Sequence, residues 1–304
     1  MNLLERYIPQ QEFDSYADFM ANFQINPPEN FNFGYDVVDY YAENCPEKIA
    51  IVWCDDFDNQ KVVNFKELKY WSDKTAKMLQ QNGIGKGDAV MLMLKSRYEF
   101  WYTIIALHKL GAIGIPATHM LTTKDIKYRV EEADIKMIIS VEDNDLPQFT
   151  DDAHLEYGHI LETKMLLSGE REGWLSFYDE LDKVDENFER PSGEDATKNE
   201  DLMLIYFSSG TTGFPNMVKL SFCIHWVILL RQNFGNVLEM MNCITRFRIQ
   251  VGQSVYGENY MVNGWQELVF LFMIMRCLMQ KICWIKLLSI TLPRFVHHPR
   301  YIDF

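Results

Sequence analysis

A short segment of small and hydroxylated residues near the middle of the chain has the composition of a phosphate-binding loop. An apolar run over 202–207 precedes it and is typical of a buried strand, and Pro215 follows it. The segment consists of Ser208, Ser209, Gly210, Thr211, Thr212 and Gly213. Glycines let backbone N–H groups approach an anion closely, and the hydroxyls add hydrogen-bond donors. The pattern therefore predicts a cradle for the phosphates of a nucleotide.

The residues after this segment exclude one common kind of phosphate loop. A Walker-type loop closes its glycine run with Gly-Lys-Ser or Gly-Lys-Thr and continues directly into a helix. Here Gly213 is followed by Phe214 and Pro215. A surface loop of the same composition that binds nothing remains the structural alternative.

The elements before the loop alternate between apolar strands and helices. Strands are predicted over 50–53, 61–63, 89–94, 112–115 and 136–140, and helices over 35–44, 65–81, 98–110 and 122–132. Asn64 with Glu67, and Thr122 with Asp125, are predicted capping pairs. Strand–helix alternation with fully apolar strands implies a parallel α/β sheet flanked by helices. Residues 142–200 are less regular, and only 174–181 form a convincing amphipathic segment there.

Composition narrows the class of protein. With 48% hydrophobic residues the chain is globular, and a net charge of −14 argues against nonspecific nucleic-acid binding. The six cysteines lack the paired spacing of a disulfide framework or a zinc site. No signal peptide or membrane span is recognisable, so a cytoplasmic protein is expected.

Four further stretches, together with the loop, carry a resemblance to a known family. They lie at 65–68, 83–88, 99–101 and 111–118, in the family's order. The loop matches Ser/Thr-Ser-Gly-Thr-Thr-Gly-x-Pro-Lys except that Asn216 replaces the lysine. Residues from about 30 to 218 thus resemble the N-terminal part of the adenylate-forming acyl-CoA synthetase superfamily, and most resemble bacterial short- and medium-chain acyl-CoA synthetases.

The resemblance implies a ligase of fatty acid metabolism that uses ATP, Mg²⁺ and CoA. In that family a short- or medium-chain carboxylic acid is converted to acyl-AMP and then to acyl-CoA. The residues implied to hold the β- and γ-phosphates are those of 208–213, with Thr211 and Thr212 the strongest individual candidates. Asn216 removes a cation from this site, and Lys219 is a possible replacement for it.

Several parts that the family places further downstream have no counterpart in the sequence. They are the adenine-binding segment, the magnesium-ligating Tyr-Gly-x-Thr-Glu stretch, the ribose-binding Asp, the hinge and the C-terminal-domain lysine. No catalytic residue or metal ligand is therefore assigned, and the 304-residue chain is expected to be inactive alone. The alternatives are a nucleotide- or partner-binding remnant and an adenylation domain that loads a carrier protein.

The residues after the loop differ sharply from those before it. Residues 220–304 hold 8 basic and 4 acidic side chains, whereas residues 1–219 hold 21 basic and 39 acidic side chains. We considered a shifted reading frame in which each codon begins at the third base of the present one. In that frame, three segments can encode peptides that resemble successive parts of the same synthetases: 226–236, 251–264 and 295–304. We therefore predict a leader over 1–34, the N-terminal portion of an AMP-binding domain over 35–219, and an out-of-frame tail over 220–304 without native structure.

Other residues of chemical interest have simpler interpretations. His108 and His119 are expected to be packed or capping histidines, and Trp53, Trp71 and Trp101 to belong to the core. Lys124 and Arg129 are expected on a solvated helix face. Asp55, Asp56 and Asp58 are expected to form a turn, because no glycine or distal glutamate completes an ion-binding loop.

Overall fold

The computed structural model describes residues 3–55, 59–157, 161–208 and 214–226. Seven α-helices lie within them: α1 (Tyr16–Asn22), α2 (Tyr40–Asn44), α3 (Phe65–Gln81), α4 (Glu99–Leu110), α5 (Thr123–Glu132), α6 (Leu146–Tyr157) and α7 (Phe177–Asp182). The nine strands are β1 (Ile49–Cys54), β2 (Gln60–Asn64), β3 (Ala89–Met93), β4 (Ile113–Pro116), β5 (Ile135–Ser140), β6 (Thr163–Leu166), β7 (Leu175–Ser176), β8 (Leu202–Ser208) and β9 (Asn216–Ser221).

Seven of the strands form one sheet in the order β7-β6-β5-β3-β4-β8-β9. The pairs from β7 to β8 are all parallel, and only β9 runs antiparallel, against β8. All residues of β3 and β4 are buried, as expected for strands covered on both faces. The predicted parallel α/β sheet is therefore confirmed. Strands β1 and β2 form a separate antiparallel hairpin.

Helices cover both faces of this sheet. The chain moves from β3 to β4 in one direction and from β4 to β5 in the other, so right-handed crossovers place α4 and α5 on opposite faces. Helix α3 packs beside α4, and α6 packs beside α5. The reversal of strand order beside β3 creates the switch point at which open α/β sheets bind ligands, beyond the carboxyl ends of their strands.

The two predicted capping pairs are present. The N–H of Glu67 donates to Asn64 Oδ1 at 2.8 Å, and the N–H of Asn64 donates back to Glu67 Oε2 at 3.1 Å. At the start of α5, the Thr122 N–H and hydroxyl both donate to Asp125 Oδ2, at 3.0 and 2.7 Å. Helix α4 ends as predicted at Gly111, whose φ of 73° is accessible to glycine without strain.

Residues 142–200 contain more structure than their sequence pattern indicates. Helix α6 and strands β6 and β7 all lie there, and β6 pairs in parallel with β5. Strand β6 has only four residues, and side chains of Asp151, Lys164 and Arg171 form a charged cluster beside it. A short strand bordered by ion pairs gives a weak hydrophobic pattern, which explains why the sequence did not reveal it.

Both predicted boundaries of the domain are crossed by buried side chains. Within the expected leader, Tyr7, Ile8, Phe31 and Phe33 have 2% exposure or less. Strand β9 continues to Ser221, and three side chains beyond it are buried as well: Phe222, His225 and Trp226. Buried side chains thus lie both within the predicted leader and among the first residues of the predicted tail. Residues 227–304, and with them most of the predicted tail, lie outside the described residues.

Candidate functional site

The candidate phosphate loop joins β8 to β9 at the carboxyl end of the parallel sheet. Strand β8 pairs with β4 through Leu204 and Gly114, and it ends at Ser208. The chain returns as β9, which begins at Asn216. Five predicted site residues, Ser209, Gly210, Thr211, Thr212 and Gly213, lie outside the described residues, so their contacts with phosphate remain a prediction.

Ser208 and Asn216 face each other across the base of the loop. They are partners in the antiparallel register of β8 and β9, and the Ser208 hydroxyl donates to the Asn216 carbonyl over 3.4 Å. Cross-strand partners present their side chains on the same face of a sheet. The structure therefore brings together the two described members of the predicted site.

Lys219 lies on the face opposite Asn216. The register is continuous from the Ser208–Asn216 pair to the Ile205–Lys219 pair, so side chains alternate without a bulge along this part of β9. An offset of three residues then places Lys219 and Asn216 on different faces. Lys219 is therefore not positioned to replace a lysine at 216.

Helix α5 packs against both ends of the loop. The Tyr128 ring stacks on the Phe214 ring, with centroids 4.7 Å apart and an interplanar angle of 28°. It also meets the Phe207 ring edge-on at 6.1 Å, and its hydroxyl donates to the Pro215 carbonyl at 3.1 Å. Sequence reasoning missed this contact because nothing in the spacing of Tyr128 indicates a partner 87 residues away.

Two cations from the same helix lie over the flanking rings. The Lys124 ammonium is 5.0 Å from the Phe214 ring centroid, and the Arg129 guanidinium carbon is 5.1 Å from that of Phe207. Such distances are within the range of cation–π attraction. Lys124 is exposed as predicted, but the Arg129 side chain is only 12% exposed, so the prediction that both lie on a solvated face is wrong for Arg129.

Burial and a local carboxylate determine the electrostatics of Arg129. Burial lowers its pKa, opposed by the negative charge of Asp125. Its Nη1 donates to the Asp125 carbonyl at 2.9 Å and lies 3.9 Å from the carboxylate Oδ1. Burial raises the pKa of Asp125, but hydrogen bonds from Thr122 and the charge of Arg129 outweigh it, so the net shift is downward. Arg129 is thus held by Asp125, the acidic residue of the capping pair at the start of α5.

The other candidate residues occupy structural positions. His108 is fully buried and lies with its ring 6.0 Å from that of His225, with burial lowering the pKa of both. Trp101 is buried, and Trp53 and Trp71 are partly buried against the core. Asp55 accepts hydrogen bonds from Asn59, as expected in a turn, whereas Asp56 and Asp58 lie outside the described residues.

Among the residues that the structure describes, no cluster of three His, Cys, Asp or Glu side chains could hold a metal ion. Within the same part, no helix is both long and apolar enough to span a membrane.

Comparison with known proteins identifies the family. The profile of the AMP-binding enzyme family matches residues 38–232, about two-thirds of the chain. This match covers every strand of the sheet, both sides of the candidate loop and the helix packed against it. The chain belongs to the AMP-binding enzyme family, as its motifs predict.

The curated relatives that match are acyl-CoA synthetases. Rat mitochondrial acyl-coenzyme A synthetase ACSM5 is 36% identical over 205 residues, which are 64% of this chain and 34% of the relative. Mouse mitochondrial acyl-coenzyme A synthetase ACSM3 is 31% identical over 214 residues, 68% of this chain and 36% of the relative. The chain thus spans about a third of the length of the curated relatives that it matches.

Solved structures agree on the fold. The anthranilate CoA ligase AuaEII, solved with anthranoyl-AMP, superimposes with a TM-score of 0.57 at 21% identity, covering 69% of this chain and 38% of that one. Brucella canis acyl-CoA synthetase superimposes with a TM-score of 0.57 at 19% identity, covering 68% of this chain and 36% of that one. The α/β fold is therefore that of the N-terminal subdomain of adenylate-forming enzymes.

Proposed function

We propose that the chain carries the polyphosphate-binding part of an AMP-forming acyl-CoA synthetase. The observation that supports this proposal is the hairpin of β8 and β9, in which Ser208 pairs with Asn216 at the two ends of the Gly/Ser/Thr segment. Backbone N–H groups and hydroxyls in such a position bind phosphate oxygens. The proposed ligand of residues 208–213 and 216 is the β,γ-phosphate portion of ATP.

The reaction that we propose for the complete machinery has two steps. A carboxylate oxygen of a short- or medium-chain acid attacks the α-phosphorus of ATP, forming acyl-AMP and releasing pyrophosphate. The CoA thiol then attacks the acyl carbon, forming the thioester and releasing AMP. Negative charge accumulates on phosphate oxygens in the first step, so fixed donors at the loop favour its transition state. The names of the matched relatives support CoA over a carrier-protein thiol as the acyl acceptor.

We further propose that these 304 residues alone bind ATP without turning it over. Substrate alignment and transition-state stabilisation need groups on both sides of the reacting atoms, and the sequence contains no in-frame counterpart of the family's adenine, ribose and lysine segments. Asn216 also removes one cation. Losing a charge-assisted hydrogen bond costs roughly 1.5–3 kcal/mol where the lysine contacts phosphate.

Two measurements on the purified chain test this pair of statements. Calorimetry with ATP should show binding, and pyrophosphate release with ATP and acids of two to eight carbons should stay at the level of the uncatalysed control. Absence of ATP binding would reject the polyphosphate site. Turnover with any acid would reject the proposed incompetence and leave the site intact.

The sequence after the loop supports a separate proposal about its reading frame. We propose that a frameshift lies between Val218 and Phe222 and that the segment after it is translated out of frame. The nucleotide sequence of the locus decides this directly: a continuous synthetase-like peptide in the alternative frame would support it. If the alternative frame encodes no such peptide, the proposal is wrong.

The cellular location is also a proposal. We propose the cytoplasm, the location that we expected from the sequence. The matched relatives from rat and mouse are named as mitochondrial proteins, which is the competing location. Fractionation of the source cells followed by detection of the chain distinguishes the two.

A further inference from the structure

Tyr128 is the residue through which α5 contacts both sides of the candidate loop. On the exit side it stacks on Phe214 and donates its hydroxyl to the Pro215 carbonyl. On the entry side its ring meets that of Phe207, one residue before the end of β8. One side chain therefore links Phe207 to Phe214, two points of the chain that the six residues 208–213 separate.

The stacked pair is held at a half-open surface. Phe214 is 49% exposed although its ring lies face to face with Tyr128. An aromatic pair of this geometry adds about 0.5–1.5 kcal/mol beyond the area that it buries, and a neutral hydrogen bond adds about as much. Together these contacts offset only part of the cost of fixing a short loop, whose backbone loses about 1–2 kcal/mol per residue, so their effect is on the two ends that they touch.

The same helix presents positive charge at the two flanking rings. Lys124 lies over Phe214 and Arg129 over Phe207. Arg129 is partly neutralised by Asp125, whereas Lys124 makes no salt bridge with any described residue. The exit side of the loop therefore has an exposed ammonium next to the residue that Tyr128 holds.

We propose that α5 is the positioning element of the polyphosphate site, with Tyr128 as the positioning residue and Lys124 as an added source of positive potential. This inference depends on the proposed function, because it assigns a purpose to contacts at the ends of the phosphate loop. Tyr128 fixes the separation and direction of the two ends. Lys124 attracts the polyphosphate from the α5 side, independently of the side chain at 216.

The test of Tyr128 compares two substitutions in the full chain. Tyr128→Phe removes the hydrogen bond to Pro215 and keeps the ring, and Tyr128→Leu removes both. Tyr70→Leu is the matched control, because Tyr70 is a partly exposed tyrosine on α3, on the other face of the sheet. Thermal unfolding identifies any variant that fails to fold.

Two readouts separate positioning from general stability. Hydrogen exchange of a peptide covering 207–218 should accelerate in Tyr128→Leu and less in Tyr128→Phe, while a peptide covering 89–93 stays unchanged. Calorimetry should show ATP and tripolyphosphate binding weakened by about threefold to tenfold in Tyr128→Phe and by more than about tenfold in Tyr128→Leu. Tyr70→Leu should alter neither readout.

The contribution of Lys124 is tested by its salt dependence. Lys124→Gln should weaken ATP binding by about twofold to fivefold at low salt and by less at high salt, since an exposed charge is screened. Lys66→Gln, an exposed charge change on α3, is the matched control and should leave binding unchanged.

The outcomes distinguish the two levels of inference. If the wild-type chain binds neither ATP nor tripolyphosphate, the proposed function is wrong, and the positioning role falls with it. If the wild type binds and both Tyr128 variants bind equally well with unchanged exchange over 207–218, the positioning role is wrong and the proposed function stands. The proposal is supported if ATP binding weakens in Tyr128→Phe and weakens further in Tyr128→Leu, and if hydrogen exchange accelerates only over 207–218.

Discussion

The ammonium of Lys109 lies 2.7 Å from Asp39 Oδ1 and also pairs with Asp73, where the Lys109 side chain has no exposed surface. Lys69, one-third exposed, approaches Asp39 at 3.3 Å and Asp73 at 2.6 Å. Two lysines therefore balance two aspartates in a buried network. Because Lys109 is on α4, Asp73 on α3 and Asp39 immediately before α2, the network joins three helical segments on one face of the sheet.

Removing the buried cation should strongly destabilise the fold. Burial raises the pKa of Asp39, an effect that the charge of Lys109 opposes. Lys109→Met would leave two buried carboxylates with only Lys69, and we expect the free energy of unfolding in urea to fall by about 3–5 kcal/mol.

The control is Lys77→Met, which breaks the pair between Lys77 and the exposed Asp185. Exposed pairs contribute about 0–1 kcal/mol, so this loss should be much smaller. Equal losses in the two variants would show that the buried network has no special contribution.

The buried histidines should make the fold sensitive to mild acid. Burial lowers the pKa of His225 to about 4 and that of His108 well below its ordinary value. Below pH 6.5 the unfolded chain binds protons that the folded chain excludes, so stability falls as pH decreases from about 6.5 to about 4. His225 alone accounts for about 3 kcal/mol of this loss.

Urea unfolding between pH 7.5 and pH 4.5 measures the effect. In His225→Phe the slope of stability against pH should be clearly reduced over this range. His119→Gln, which changes a half-exposed histidine, should retain the wild-type slope. An unchanged slope in His225→Phe would contradict the prediction.

Restoring the family lysine should strengthen nucleotide binding. Asn216→Lys places an ammonium beside the candidate loop, and a charge-assisted hydrogen bond to phosphate contributes roughly 1.5–3 kcal/mol, about tenfold or more in affinity. ATP titration by calorimetry measures the change. Lys219→Gln should alter affinity by less than about twofold, because Lys219 faces the other side of β9. A larger effect at 219 than at 216 would overturn the assignment of faces.

Gly114 is required for close packing of α4 on the sheet. A Cβ at this position of β4 would collide with the Ile104 side chain and approach Leu204 Cδ2 at 3.3 Å. Gly114→Ala should therefore lower the unfolding free energy by about 1–3 kcal/mol. Adding Ile104→Val should recover part of the loss, which thermal unfolding of the single and double variants will show. If the double variant is no more stable than Gly114→Ala, the collision is not the cause.

Local patterns predicted much of the fold. The Asn64 and Thr122 caps, the Gly111 terminus of α4 and the buried strands β3 and β4 depend on residues close together in sequence, so their signals survive in a single chain. The parallel sheet follows from their alternation. Helix α6 and strand β6 were missed because the nearby cluster around Asp151 interrupts the apolar periodicity.

The sequence predicted the loop of the candidate site but not the residues of α5 that pack against it. Residues 208–216 form a contiguous motif, whereas Tyr128 reaches Pro215 only after the sheet has formed. The buried charge of Lys109 was hidden for the same reason, since its partners are 36 and 70 residues away. Long-range complementarity of this kind leaves no periodic trace in sequence.

The aromatic cluster that joins the two ends of the described chain has a consequence for biosynthesis. Trp226 packs against Tyr7 with ring centroids 5.1 Å apart and against Phe31 at 4.6 Å. These early residues leave the ribosome long before their partner is translated, and closing so long a segment is entropically unfavourable and slow. The rings of Tyr7 and Phe31 therefore remain without this packing partner until Trp226 has been synthesised. A nascent chain stalled before codon 226 would expose them to chaperones.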